Sequence, residues 1–368
     1  MKDFIPSKTL NGYDLEMEET NNEMLMRYYP HCGRYRVIKH AVPKLIRVDD
    51  SFWEVLGLMQ GEMLKSTKSN ACQIGFSNSN PDIINYFLLF FERFFHIKRI
   101  EWKASILVNS KNMKIDEIIH VKKHGKKTWS SKTGIPIKNF TKIHFCSKHG
   151  NSRSKSKYGN LNVRYSNTVF RTFIQNLLER LKKTIESNRK LSAAYLRGVL
   201  AAEGSCYIRK YYLNSVEIGA TKLKDFENYE NCLNTLGIKN YKRCASKIRI
   251  CGWNNFYKLW KIGAFKLHKE RERKFIQGFI KNENTRKLLL LNKFRVSKSL
   301  NEVSSDLARR TIHMHLMNLL KNGLIDHSRL LYRNNKGSWC YTWQTTPEGN
   351  RVLNPLKNLI KTKLGDKH

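Results

Sequence analysis

Two stretches of the chain share one hydrophobic pattern. Residues 52–63 read FWEVLGLMQGEM and residues 193–204 read AAYLRGVLAAEG. Each is an apolar, helix-like run with glycine in its middle and a glutamate near its end. Superposed on Glu62 and Glu203, Gly57 falls on Gly198 and Gly61 on Ala202. The two glutamates are 141 residues apart, the length of a small domain, so the chain reads as one unit present twice.

The pattern after each copy is parallel. After the first come a strand-like run, Cys72–Ser77, the Asn80-Pro81 step and a helix-like run, Asp82–Phe95. After the second come Ser215–Thr221 and a helix-like run, Asp225–Leu236. The helices end in similar steps, His96-Ile97 and Gly237-Ile238. Strand-like segments follow at Arg99–Val108 and Lys142–Phe145 in the first half, and across Tyr241–Cys251 in the second. Helix-like segments near Val169–Ile185 and Arg271–Lys281 close the halves. Each half therefore reads helix, two strands, helix, two strands, helix, an α+β class.

Composition changes the picture by naming a partner. Lys and Arg number 68 against 30 Asp and Glu, a formal charge of +38 on 368 residues. Self-repulsion of that size works against a compact state unless a polyanion is bound, and nucleic acid supplies one through counterion release. A 40% hydrophobic content argues for a real core rather than a disordered basic tail. A membrane is not expected: no amphipathic basic helix, lipidation motif or signal peptide is read, and the most apolar stretch, Ile83–Phe91, stops at Glu92 and Arg93. Eight cysteines are scattered without C-x-x-C spacing, and the nearest metal-like cluster is His144, Cys146 and His149. They read as reduced thiols of an intracellular protein, in a prokaryotic cytoplasm or nucleoid or in an organelle matrix.

The repeated helix carries the candidate chemistry. Gly57 and Gly61 lie four apart on one helix face, as do Gly198 and Ala202. Small residues at that spacing let two helix backbones approach closely. Glycine inside a helix costs up to about 1 kcal/mol relative to alanine, which asks for a packing reason. If the two helices pack side by side, Glu62 and Glu203 meet at two negative helix ends. Two such carboxylates repel unless a cation lies between them, and hard oxygen ligands suit Mg²⁺. A divalent ion held there can assist in-line displacement at a phosphodiester.

The strings VLGLMQGEM (55–63) and LRGVLAAEG (196–204) resemble the LAGLIDADG motif of homing endonucleases. SNSNPDI (77–83) and WSSKTGIPIKNF (129–140) resemble flanking signatures of archaeal and organellar members. The resemblance covers about residues 40–280. It implies two pseudo-symmetric αββαββα halves whose sheets form a saddle over double-stranded DNA, in a monomer. It implies Mg²⁺, or another divalent cation such as Mn²⁺, held by Glu62 and Glu203 with the carbonyls of Gly61 and Ala202. Basic side chains near the metals would be Lys269, in AFKLHKERERKF (264–275), and Lys142. Asn78 and Lys222 would position water or contact DNA. Met63 stands where the motif has glycine after its first acid, and Gln60 and Ala201 replace the earlier acid of the motif. Both metal positions hold Glu, a longer arm than Asp.

The domains are read as an N-terminal extension at 1–48, repeat 1 at 49–188, repeat 2 at 189–283, and a further domain with a basic tail at 284–368. Residues 1–22 read as a polar lead-in. The basic, tyrosine-bearing stretch Arg27–Arg47 reads either as a DNA-contacting arm or as an extension packed on the first half. In the last domain, helix-like runs at Arg286–Phe294, from Ser299 to Leu307 and at Arg309–Asn322 precede strands at Arg329–Arg333 and Ser338–Thr345. That order resembles a winged helix-turn-helix, as do the phrases NLLKNGLI (318–325) and TPEGNRVL (346–353). Its second helix would enter the major groove by its N-terminal half. Arg309, Arg310, His313 and His315 would then face DNA, and Lys336 on the wing would reach phosphate.

The expected function is a site-specific, divalent-metal-dependent double-strand DNA endonuclease. The alternative is a cleavage-inactive DNA- or RNA-binding protein on the same scaffold, a transcription regulator or a maturase acting on intron RNA. An intein is not expected, since no His-Asn terminal block is read and the chain closes Gly-Asp-Lys-His.

Overall fold

The computed structural model describes residues 13–30, 38–46, 48–63, 73–111, 113–146, 158–210, 212–220, 222–300, 303, 308–333 and 339–353. The chain divides into two compact units. One comprises Met1–Tyr207 and Asn214–Phe275, the other Ile208–Leu213 and Ile276–His368.

The first unit opens with an antiparallel meander, β1 (Tyr13–Glu19), β2 (Glu23–Pro30) and β3 (Ile38–Pro43), in that order. Alternation buries Met24 and Met26 on one face of β2. The expected polar lead-in is thus partly a strand.

The first motif forms helix α1 (Asp50–Glu62). Asp49 caps it, accepting from the Phe52 amide at 3.2 Å. Every residue from Phe52 to Met59 is buried, so the helix is apolar all round because it lies inside the unit. Then come β4 (Gln73–Asn78) and α2 (Pro81–Phe95), the latter with Asn80 as its cap and Pro81 in its first turn. Phe87, Phe90, Phe91, Phe94 and Phe95 of α2 build an aromatic core with Phe52, Phe76 and Trp102, in which Phe76 stacks on Phe87 at 4.3 Å.

Next follow β5 (Lys103–Asn109), α3 (Ile115–Thr133), β6 (Phe140–Cys146), β7 (Asn160–Ser166) and α4 (Thr168–Ser187). The sheet order is β4-β7-β5-β6, with β5 and β6 parallel and the other pairs antiparallel. This departs from the expected helix, two strands, helix, two strands, helix. A parallel neighbour needs a crossover, and α3 supplies it. The sequence pattern hid α3 because it buries only Val121, Gly125, Trp129 and Thr133, one residue per turn.

Asn188 alone separates α4 from the second motif helix, α5 (Arg189–Glu203), and caps it through Oδ1 at 2.9 Å from the Lys190 amide. After α5 come β8 (Gly204–Arg209), β9 (Tyr212–Gly219), α6 (Leu223–Thr235), β10 (Tyr241–Cys244), β11 (Lys247–Ile250), α7 (Trp253–Lys261) and α8 (Lys269–Ile280). From α5 to β11 the order is the one expected; α7 is an additional helix, placed before the closing helix read near Arg271–Lys281, which is α8. The sheet runs β10-β11-β9-β8, and the β9–β11 and β11–β10 pairs are antiparallel. The trio β4-β7-β5 has the same chain order and pairing sense as β9-β11-β10.

The second unit holds α9 (Glu283–Lys293), β12 (Lys298–Ser299), α10 (Arg309–Lys321), β13 (Ile325–Arg333), β14 (Trp339–Thr345) and α11 (Pro347–Leu353). Its sheet order is β12-β14-β13. The first strand of the hairpin begins at Ile325, earlier than expected, and the TPEGNRVL phrase forms a helix. The helix expected before Leu307 falls largely outside the described residues, as does Lys336. Among the described residues, no helix is long and apolar enough to cross a membrane.

Candidate active site

Helices α1 and α5 pack glycine to backbone. A Cβ on Gly57 would lie 2.0 Å from the Tyr195 carbonyl oxygen, and one on Gly198 would lie 1.8 Å from that of Glu54. Neither position admits any side chain without moving a backbone, which is the packing reason the two glycines required.

Away from the acids, the same helix pair is held by a buried ion network. Glu54 is 2% exposed and accepts from Arg197 Nε at 2.5 Å, from Lys266 Nζ at 2.7 Å and from the Tyr86 hydroxyl. Arg197 also reaches Asp50 at 2.8 Å and donates to the Ile262 carbonyl at 3.2 Å. Each buried charge thus has more than one partner, as burial demands. Sequence reading passed over Glu54 and Arg197. Their signal was a charge inside each of two otherwise apolar helices.

The close packing carries the helix ends together. At the Gly61 position a Cβ would stand 2.8 Å from the Ala202 Cβ and 2.7 Å from the Glu203 Cγ, so Glu203 lies across Gly61. Gly219 in β9 makes room on the other side: a Cβ there would be 2.8 Å from Glu203 Oε2. Nothing in the residue pattern around Gly219 singles it out. Glu62 takes a long 3.4 Å hydrogen bond from Asn78 Nδ2, while Asn78 Oδ1 accepts from the Asn80 amide at 2.8 Å. Burial, and then the Glu203 charge, push the Glu62 carboxyl up to about 7, against the pull of Arg271.

Arg271, in the first turns of α8, was missed. Its Nη1 donates to the carbonyls of Leu200, Ala201 and Ala202 at 3.1, 2.8 and 3.0 Å. These are carbonyls of the last turn of α5, where helical donors run out; that of Leu200 also accepts from the Gly204 amide. Burial lowers the arginine's pKa, and the charges of Glu62 and Glu203 oppose that shift. Lys269, the expected basic residue, lies two positions earlier and on another side of the helix. It is 86% exposed, with its Nζ 3.9 Å from Asp82. Lys142 is exposed on β6, the edge of its sheet furthest from β4, roughly 14 Å from it at ordinary strand spacing. The structure brings neither lysine to the acids.

A cleft of about 760 Å³ opens beside the pair, lined among others by Gln60, Gly61, Glu203, Lys222 and Asp225. Gln60 Nε2 donates to Asp225 Oδ1 at 2.7 Å across it. Lys222 is exposed, so it shares this cleft with Glu203.

The donor set fits a hard divalent cation in part. Two carboxylates and helix-end carbonyls are the oxygen ligands such an ion takes. The Ala202 carbonyl, expected as a ligand, already accepts from Arg271. Among the described residues, no group of three or more His, Cys, Asp or Glu is placed to hold a metal. Cys146 lies on β6 as a free thiol, and His149 is outside the described residues.

In the second unit, Arg309, Arg310 and His313 are exposed on α10. His315 is not: it is 4% exposed and shares the buried face with Ile312, Leu316 and Leu319. Its expected role facing DNA is corrected to a core position, because the apolar stripe of the helix runs through it.

No family model matches the chain, and no curated protein does. Among solved structures, the chain is similar to mesophilic variants of the homing endonuclease I-DmoI, at 13% identity and a TM-score of 0.33, over 64% of this chain and 91% of that one. It is also similar to a variant of I-DmoI in complex with its target DNA and in the presence of manganese, at 13% identity and a TM-score of 0.30, over 61% and 97% of the two chains. A third similar structure is I-DmoI in complex with DNA and calcium, at 13% identity and a TM-score of 0.28, over 57% and 86%.

Proposed function

We propose that this chain is a divalent-metal-dependent endonuclease that cuts both strands of DNA at a long asymmetric site, built on the two-motif LAGLIDADG scaffold. The observation that carries the proposal is the pair Glu62 and Glu203, brought together at two helix C-termini by the Gly57 and Gly198 contacts. Two carboxylates at two negative helix ends have no structural use that outweighs their repulsion. They have a chemical use if a divalent cation joins them to a phosphodiester.

When bound, that cation would supply Lewis-acid polarisation of the phosphodiester oxygens. Glu62 and Glu203 would hold it, and Asn78 would orient Glu62. Arg271 would offset part of the negative charge. Lys222, at the cleft beside Glu203, would reach a phosphate. The charge of +38 draws the polyanion. The two sheets, one of them carrying the extra strand β6, would read unlike half-sites as pseudo-symmetric halves of a saddle. Lys142 and Lys269, exposed and away from the acids, would contact phosphates only. The second unit would act as a winged helix, with Arg309, Arg310 and His313 toward DNA, adding affinity by bivalent contact.

The test is incubation with the flanking DNA of its own gene, joined as the uninterrupted allele, in Mg²⁺. Staggered double-strand cleavage, lost in Glu62→Gln and in Glu203→Gln, is the expected result. The second reading is a regulator or maturase that binds without cutting. It draws on the Arg271 guanidinium, which already holds a carbonyl a metal would use. Tight binding without cleavage, indifferent to both substitutions, would establish it instead.

A further inference from the structure

The two helix ends that present the acids are not chemically alike. At the end of α5, one guanidinium nitrogen of Arg271 takes three successive carbonyls, those of Leu200, Ala201 and Ala202. The last of them, the Ala202 carbonyl, is the one a cation at that end would use. At the end of α1, among the described residues, the matching residue Gly61 has no such donor, and Glu62 takes a 3.4 Å hydrogen bond from Asn78 and feels the Arg271 charge without a hydrogen bond to it. Sequence repetition led us to expect two equivalent ligand sets, and Arg271 breaks the equivalence.

We infer that Arg271 is a built-in cation occupying the α5 end, so that the chain takes up a single divalent cation, held chiefly from the α1 side. The inference rests on the metal-dependent reading above. Charge counting supports it. The carboxylates contribute two negative charges, and the helix ends add about half a charge each. The guanidinium removes one, which leaves roughly −2, the complement of one divalent ion. Without Arg271 the count is roughly −3, and a second ion becomes favourable. A net charge of +38 on the whole chain further opposes any cation that the local charge does not call for. Arg271 is also fixed in place. It sits within a helix turn of His268, whose Nδ1 accepts from the Arg271 amide at 3.4 Å, and its Nη1 is shared among three carbonyls. It is therefore a positioning residue, acting on the number and placement of metal ions.

Titration of the full chain with Mn²⁺, following the free-ion signal by electron paramagnetic resonance, tests this without relying on cleavage. The wild type should take up one ion per chain, and Glu62→Gln should lose it. Arg271→Gln should take up a second ion, and Arg271→Lys, which keeps the charge, should return to one. Two equal ions in the wild type overturn the inference, as does an Arg271→Gln variant that titrates like the wild type. Uptake lost in Glu62→Gln but indifferent to residue 271 overturns the inference and leaves the metal-dependent reading standing. Absence of uptake by the wild type overturns both. Circular dichroism reports whether Arg271→Gln has folded; if it has not, the ion count of the wild type and Arg271→Lys decides alone, two ions in either being fatal.

Discussion

Gly198 sits directly against the carbonyl of Glu54, so that a single methyl group on it would fall 1.8 Å from that oxygen. The contact places the acids: the distance between helices α1 and α5 sets the distance between what they carry at their ends. Replacing Gly57 or Gly198 by alanine should therefore destabilise the chain by about 2–4 kcal/mol, against the helix-propensity gain of about 1 kcal/mol that alanine brings elsewhere. Gly125, inside α3, is the control. Its added Cβ would meet only side chains at 3.4 Å or more, so Gly125→Ala should be neutral or slightly stabilising. Urea unfolding of the three variants checks the contrast.

The Glu62 carboxyl is held near 7 in the folded chain against an ordinary value of 4.5. The folded state thus keeps its proton longer than the unfolded state does. Stability from this group is highest below pH 4.5 and falls as pH rises through 7. Glu62→Gln should be more stable than the wild type by about 2–3 kcal/mol at pH 8, and no more stable at pH 4. Thermal unfolding across that range reads it. Added Mg²⁺ at pH 8 should raise the melting temperature of the wild type alone, by binding linkage. An equal gain for Glu62→Gln at both pH values would refute the assignment.

Removing one member of a multiply paired buried charge strands the others. Arg197→Met leaves Glu54, 2% exposed, without its 2.5 Å partner. The expected loss is about 3–5 kcal/mol. Glu54→Gln combined with Arg197→Met should cost less than the two single losses added together. A double-mutant cycle in denaturant measures the difference.

The histidines of α10 should separate cleanly. His313 is exposed and His315 is buried. His315→Ala should lower stability by about 1–3 kcal/mol. Arg309→Ala and Arg310→Ala should leave stability within about 0.5 kcal/mol and should each reduce the salt dependence of DNA binding by about one ion. Fluorescence anisotropy at several salt concentrations reads the second effect, and unchanged slopes would remove this helix from the DNA interface.

The helix pair and its acids were legible because they obey rules local to one helix: apolar continuity, small residues four apart, and repetition. What the sequence concealed depends on partners distant in the chain. Arg271 and Lys269 are chemically similar and two residues apart, and only the packing of α8 against the end of α5 decides which one turns inward. Glu54 and Arg197 lie 143 residues apart, and nothing local to either says that they meet. Helix α3 buries too thin a stripe to register as a helix with a core-facing side. His315 is a different case. Ile312, His315, Leu316 and Leu319 fall at helical spacing, so its burial could have been read from the apolar stripe before the helix was assigned to a groove.

The ion network beside the helix pair has a consequence for how the chain can be divided. Glu54 on α1 is matched by Arg197 on α5. In the alignment of the two motifs, position 197 corresponds to Leu56 and position 54 to Tyr195. Two copies of the first half would set Glu54 against a leucine, and two copies of the second would set Arg197 against a tyrosine. Either self-pairing takes away the opposite charge across the helix pair, leaving Glu54 the Tyr86 hydroxyl and Arg197 the Ile262 carbonyl. Cut at Asn188, between α4 and α5, the two fragments should reassemble with each other and refuse themselves: a lock and its key, obligate spouses rather than twins.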